Sequence, residues 1–109
     1  MNYNITGKHI ELTPAMKEAV LEALEHPKRV HDGILNVHVF LSHEQHNFIA
    51  EAVMHVAGKN IVVKGIERNM YDAISSMGEK AVHSLQKDKE KHSKHRHYSP
   101  KRDYQDVEM

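Results

Sequence analysis

Lysine, arginine and histidine crowd the last third of this chain. Between Lys80 and Arg102 stand eight basic residues (Lys80, Lys87, Lys89, Lys91, Lys94, Arg96, Lys101 and Arg102) against two acids, Asp88 and Glu90, a local charge of +6. The remainder holds seven basic residues and thirteen acids, so it carries −6, and the net charge of zero conceals a dipolar molecule. The chemistry open to such a stretch is electrostatic. Polyanion affinity comes from local neutralisation of phosphates, so a basic helix end on an acidic body points to a nucleic-acid partner. His83, His92, His95 and His97 are interleaved with these cations, and imidazoles held near phosphates gain protons and add charge.

Spacing sharpens this reading. At ~100° per residue, Lys80, His83, Lys87, Lys91 and Lys94 fall within ~80° of one another on a helix. They flank an apolar stripe through Met77, Ala81 and Leu85 and form a ridge along the rim of a domain. Lys89, Arg96, Lys101 and Arg102 extend the charge in other directions. A smaller cluster, Lys28 and Arg29 with His26 and His31, could touch the same phosphates if the first helix lies beside the second. The competing reading of both clusters is a solvated surface, although the stripe has few counter-ions and its self-repulsion would be relieved by a polyanion.

Other chemistries find less support. His92-x-x-His95-x-His97 and His43-x-x-His46 have ligand-like spacing, but no carboxylate or thiolate completes either set, so neither a metal site nor a cofactor is expected. No glycine-rich phosphate loop, His-Glu-x-x-His motif or nucleophile elbow occurs, and the carboxylates are scattered rather than paired. The chain reads as a binding protein, not an enzyme.

The elements that must position these residues follow from periodicity. Asn2 to Thr6 alternates as a short strand ended by Gly7. Thr13-Pro14 starts a helix, with Met16, Ala19, Val20, Ala23 and Leu24 at helical spacing. Pro27 is expected to stop it. Asp32-Gly33 is a turn. Ile34 to Ser42 alternates, with Leu35, Val37, Val39 and Leu41 on one face; a polar loop over His43 to Asn47 follows. Phe48 to Val56 alternates likewise, and after the turn Ala57-Gly58-Lys59-Asn60 a last strand runs from Ile61 to Ile66. Asn69 caps a long helix whose stripe is Met70, Ala73, Ile74, Met77, Ala81 and Leu85. Beyond Leu85 the helix is expected to project from the core through Lys87 to about Lys94, with Ser99-Pro100 as its breaker.

The order β-α-β-β-β-α predicts an α+β domain: a four-stranded sheet with both helices on one face. The other face, with His38, Glu51, His55 and Lys64, would meet water. One domain over 1–95 and a flexible tail over 96–109 account for the 109 residues. The chain has no cysteine, no signal-peptide pattern at its start and no apolar run near the ~20 residues of a membrane helix. It is read as cytoplasmic, without a membrane partner.

Several segments match a known family. Asn4-Ile5-Thr6-Gly7, Glu11-Leu12-Thr13-Pro14, Val37-His38-Val39-Phe40-Leu41-Ser42, His55-Val56-Ala57-Gly58 and Asn69-Met70-Tyr71-Asp72-Ala73-Ile74 resemble the short ribosome hibernation factors, also called ribosome-associated inhibitors or the sigma-54 modulation protein family. The resemblance covers about residues 2–95. It implies a fold similar to double-stranded-RNA-binding domains, and binding to 16S ribosomal RNA in the channel between head and body of the small (30S) ribosomal subunit. Such a protein occupies the space of messenger and transfer RNA and silences translation by steric exclusion in stationary phase or stress.

By position, Lys80, Lys87, Lys89 and Lys91 match family basic residues, with Lys94 and Arg96 continuing the run. Lys28 and Arg29 match more loosely, because His26-Pro27 disturbs the usual helix end. His83 stands where the family usually has arginine, which removes a permanent charge and a bidentate phosphate fork. The resemblance also implies a monomer when free, and whole (70S) or paired (100S) ribosomes as further partners.

Two subtypes exist within that resemblance. Some short members help ribosomes pair into inactive dimers; others carry a tail that enters the messenger channel and prevents pairing. Phe40-Leu41-Ser42, Phe48-Ile49-Ala50 and the acidic tail look like the inhibitor, whereas Lys87-Asp88-Lys89-Glu90-Lys91 looks like the promoting subtype, which is preferred. Two alternatives come from other classes: a domain binding free structured RNA, and a module contacting a transcription factor through the open sheet face.

Overall fold

Alternation of period two gives four strands and the 3.6-residue stripes give two helices. β1 (Asn2–Lys8), α1 (Pro14–Val30), β2 (Ile34–Glu44), β3 (Asn47–Val56), β4 (Lys59–Glu67) and α2 (Met70–His97) follow in that order. The computed structural model describes residues 2–97, with side chains up to residue 90. The tail expected over 96–109 lies outside the described residues from 98 onward.

The strands form one sheet in the order β1-β2-β3-β4. β1 runs parallel to β2, from Asn2 opposite Asn36 to Lys8 opposite Ser42, because α1 supplies the crossover that a parallel pair needs. The β2–β3 and β3–β4 pairs are antiparallel. The β2–β3 turn is tighter than the sequence suggests: only Gln45 and His46 lie between the strands, with Gln45 at φ 55. Gly58 supplies the positive φ, 80, of the β3–β4 turn.

One sheet face is dry. Val37, Val39 and Leu41 of β2, Ala50, Ala52, Met54 and Val56 of β3 and Val63 of β4 are buried there against Met16, Val20 and Leu24 of α1 and Met70, Ala73, Ile74, Met77, Ala81 and Leu85 of α2. The expected stripes of both helices are therefore the core stripes. Leu35 departs from expectation. A register shift between Ile34 and Asn36 turns Ile34 inward and leaves Leu35 56% exposed, as an irregularity of this kind re-aims the side chain it contains.

The opposite face meets solvent. There Thr6 Oγ1 and His38 Nε2 lie 2.8 Å apart, His38 stacks on Phe40 with ring centroids 4.1 Å apart, and Lys8 sits over the Phe40 ring.

Two glycines let the layers approach. A Cβ on Gly65 would lie 2.2 Å from the Ala73 carbonyl oxygen and 2.6 Å from the Met77 nitrogen, so α2 rests directly on the β4 backbone. A Cβ on Gly78 would lie 2.9 Å from the Ala23 carbonyl oxygen, where α1 and α2 meet.

That second contact bears on Pro27. The sequence predicts that α1 stops there, yet α1 continues through Pro27 to Val30. Pro27 has no N–H to offer the carbonyl of residue 23, which in a helix interior costs about 3 kcal/mol. Burial of the Pro27 ring works against this cost. The Ala23 carbonyl packs close to Gly78, and beyond the proline the helix goes on to the His31 N–H, which donates to the Pro27 carbonyl at 3.2 Å. The start of α1 is as expected: the Thr13 hydroxyl accepts from the Met16 N–H at 3.1 Å. Asn69 caps α2 in the same way, its Oδ1 accepting from the Tyr71 and Asp72 N–H groups at 2.9 and 3.1 Å.

Candidate nucleic-acid interface

Because α1 runs to Val30, Lys28 and Arg29 occupy its last turn rather than a following loop. Both are exposed, and their charge complements the helix dipole there. Lys28 has one weak surface partner, Glu25, at 3.8 Å; an exposed pair of this kind contributes little and leaves the ammonium available.

On α2 the cations divide between two flanks of the core stripe. Lys80 and His83 face the open edge of β4. The Lys80 ammonium donates to the Lys64 carbonyl at 2.9 Å, which satisfies one acceptor of an otherwise unpaired edge. Lys64, Lys80, His83 and Ser84 line a shallow groove of about 440 Å³ along that edge. Lys87 is exposed and lies within ~20° of Lys80 around the helix, so it continues this flank.

Lys89 points the other way. Its ammonium donates to the Val30 carbonyl, 3.3 Å away, at the end of α1. This bond brings Lys89 beside the turn that holds Lys28 and Arg29. The structure thus joins Lys28, Arg29 and Lys89 on one side of α2, and Lys80, His83 and Lys87 on the other. Lys91, Lys94 and Arg96 lie on α2 by their backbone; their side chains are outside the described residues.

Sequence reasoning missed the residue between these flanks. Asp88 is 4% exposed and continues the buried series Met77, Ala81, Leu85 by three residues. The expectation that α2 leaves the core after Leu85 is therefore corrected: the helix stays packed for another turn. The Asp88 carboxylate is ion-paired with the ammonium of Lys59, the first residue of β4. Its Oδ2 lies 3.0 Å from His31 Nε2, while His31 Nδ1 accepts from the Gly33 N–H at 3.0 Å. With Nδ1 accepting, Nε2 carries the proton and donates to Asp88. An acid counted in the sequence as diluting the basic run is thus withdrawn from the surface. The one available signal was its heptad-like spacing from Ala81 and Leu85, which is weak evidence for an inward carboxylate because charged residues are rarely buried unless paired.

The histidine motifs take separate places. His43 stacks on Phe48 with centroids 4.1 Å apart, and among the described residues no group of three or more His, Cys, Asp or Glu side chains is placed to hold a metal. The side chains of His92, His95 and His97 fall outside them. Among the described residues no helix is long and apolar enough to cross a membrane.

Comparison with known proteins bears on this geometry. Residues 3–93 match the family described as sigma 54 modulation protein / S30EA ribosomal protein. The chain is 34% identical over 91 residues to a ribosome hibernation promoting factor of Pseudomonas putida, covering 84% of this chain and 89% of the relative. It is 35% identical over 95 residues to the factor of the same name from Klebsiella oxytoca, and 33% identical over 95 residues to that of Escherichia coli; each match covers 87% of this chain and 100% of the relative. Among solved structures, a ribosomal subunit interface protein from Coxiella burnetii superposes with a TM-score of 0.74 at 22% identity, over 83% of this chain and 99% of that one. The N-terminal domain of Thermus thermophilus Protein Y does so with a TM-score of 0.72 at 25% identity, over 80% and 98%.

Proposed function

The chain belongs to the sigma 54 modulation protein / S30EA ribosomal protein family, and from that premise we propose that it is a cytoplasmic ribosome hibernation factor of the promoting subtype. It binds the small ribosomal subunit as a monomer, on 16S ribosomal RNA between head and body. There it excludes messenger and transfer RNA and favours paired, inactive ribosomes, without chemistry of its own. The relatives at 33–35% identity bear the name ribosome hibernation promoting factor and match across most of their length.

One observation carries the RNA-contacting part of this reading. Exposed cations from two helices, Lys28 and Arg29 from α1 and Lys80, Lys87 and Lys89 from α2, stand on either side of a helix whose intervening acid, Asp88, is turned inward. A duplex-like polyanion presents phosphates along two strands, and a ridge with cations on both flanks can engage more than one run of them. Lys91, Lys94 and Arg96 extend the same interface along α2.

Sedimentation tests the proposal. Stationary-phase lysate run through a low-salt sucrose gradient should show the protein with small subunits, whole ribosomes and ribosome dimers, and high salt should release it. The Lys87→Glu/Lys89→Glu/Lys91→Glu variant should remain at the top of the gradient while retaining its fold by circular dichroism. Wild-type protein confined to the top of the gradient at low salt would overturn the assignment.

A further inference from the structure

A buried acid inside the most basic stretch of a chain is costly, since removing charge from water is unfavourable and only good pairing repays it. Asp88 is nearly inaccessible at 4%, and its two partners come from two other places in the fold: Lys59 from the start of β4 and His31 from the segment joining α1 to β2. The next residue, Lys89, bonds the Val30 carbonyl at 3.3 Å. Three contacts from adjacent α2 residues therefore fix this turn of α2 against the end of α1 and the tip of the β3–β4 hairpin. His31 is itself held by the Gly33 N–H, so the anchor is pre-oriented on both sides.

We propose that Asp88 is the positioning residue of the polyanion-binding surface: its carboxylate locks the basic end of α2 to the end of α1, so that Lys28 and Arg29 on one helix and Lys87 and Lys89 on the other meet one polyanion at a fixed spacing. This deepens the RNA-binding reading and rests on it. Without the lock, among the described residues only the exposed Lys89–Val30 carbonyl bond would tie the turn after Leu85 to the end of α1, and neighbouring cations repel one another along the helix. Each cation would still attract phosphate, but the two helices would engage independently, and the ordering would have to occur during binding.

Asp88→Asn tests this, because charge counting and positioning give opposite signs. The substitution is near-isosteric and its amide oxygen can still accept from His31, but the charge that pairs with Lys59 is gone. It makes the protein one unit more positive, so simple electrostatics expects tighter binding to a polyanion and a steeper salt dependence. The positioning role expects the reverse. At a temperature where the variant is fully folded by circular dichroism, its affinity for purified small ribosomal subunits should fall, and the log–log salt slope should become shallower by about the ~0.7–0.9 of one phosphate contact, a loss of ~5–8-fold near 0.1 M salt. Asp88→Glu, which keeps the charge, should recover part of both.

Asp88→Asn binding as tightly as wild type or tighter, or weaker with an unchanged slope, would overturn the proposal. A readout that needs no ribosome separates this from failure of the functional reading. Amide hydrogen exchange in the free Asp88→Asn protein should speed up over residues 86–92 and stay unchanged over 73–82. Wild-type protein that fails to bind subunits would remove the ribosomal partner, and the exchange data would then decide the lock: equal exchange in the two proteins sinks it.

Discussion

Neutralising the end of α1 measures whether two helices or one engage the partner. The perturbation is Lys28→Gln/Arg29→Gln. Both side chains are exposed in the last helical turn and Lys28 has only a 3.8 Å surface contact to Glu25, so the fold should lose little, of order 0.3–1 kcal/mol per charge from the helix dipole. Binding should lose far more. The Lys89 bond to the Val30 carbonyl sets this turn beside the basic end of α2, and two phosphate contacts contribute ~1.4–1.8 to the log–log salt slope. Relative to 1 M salt, that amounts to ~25–60-fold in affinity at about 0.1 M, with the two proteins converging as salt rises. The assay is equilibrium binding of labelled protein to purified small subunits at five or six potassium concentrations, beside thermal unfolding of each protein. A slope unchanged within error would refute the reasoning. It would mean that α1 stands away from the phosphates and that α2 acts alone.

Two further expectations concern the scaffold that carries the surface. Gly65→Ala must push α2 off β4, because the new methyl would sit 2.2 Å from the Ala73 carbonyl oxygen; overpacking of this kind costs ~1–3 kcal/mol, and thermal unfolding should fall by ~4–24 °C on a domain of this size. Gly58→Ala, with nothing within 4 Å of the new methyl but φ 80, should cost only ~1 kcal/mol of backbone strain, and equal losses in the two variants would count against the close packing. Leu85→Ala empties a fully buried position one turn before Asp88 and should cost ~2–5 kcal/mol in urea unfolding; a loss under ~1 kcal/mol would mean that the end of α2 is not seated on the core.

The sequence by itself determined most of the fold and the charge pattern on which the proposed site rests. Alternation in Val37, Val39, Leu41 and in Ala50, Ala52, Met54, Val56 could bury one sheet face in only one register, because a slip of one residue reverses every side chain. The Thr13 and Asn69 caps marked both helix starts, since their side chains satisfy N–H groups that no other local group can reach. The excess of Lys and Arg after Lys80 pointed to a polyanionic partner, because charge is a property of composition before it is one of shape.

What the tertiary structure decided are the points where a local rule competes with a distant contact. Pro27 should end a helix, and does not: its ring is buried in the fold and the helix continues to a His31 N–H bonded to the Pro27 carbonyl. Leu35 should point inward, and the shift beside Ile34 turns it out. Asp88 should be solvated beside its lysine neighbours. It is buried because Lys59 and His31, 29 and 57 residues away in the chain, converge on it, and no local pattern encodes which remote groups will arrive to pair a charge.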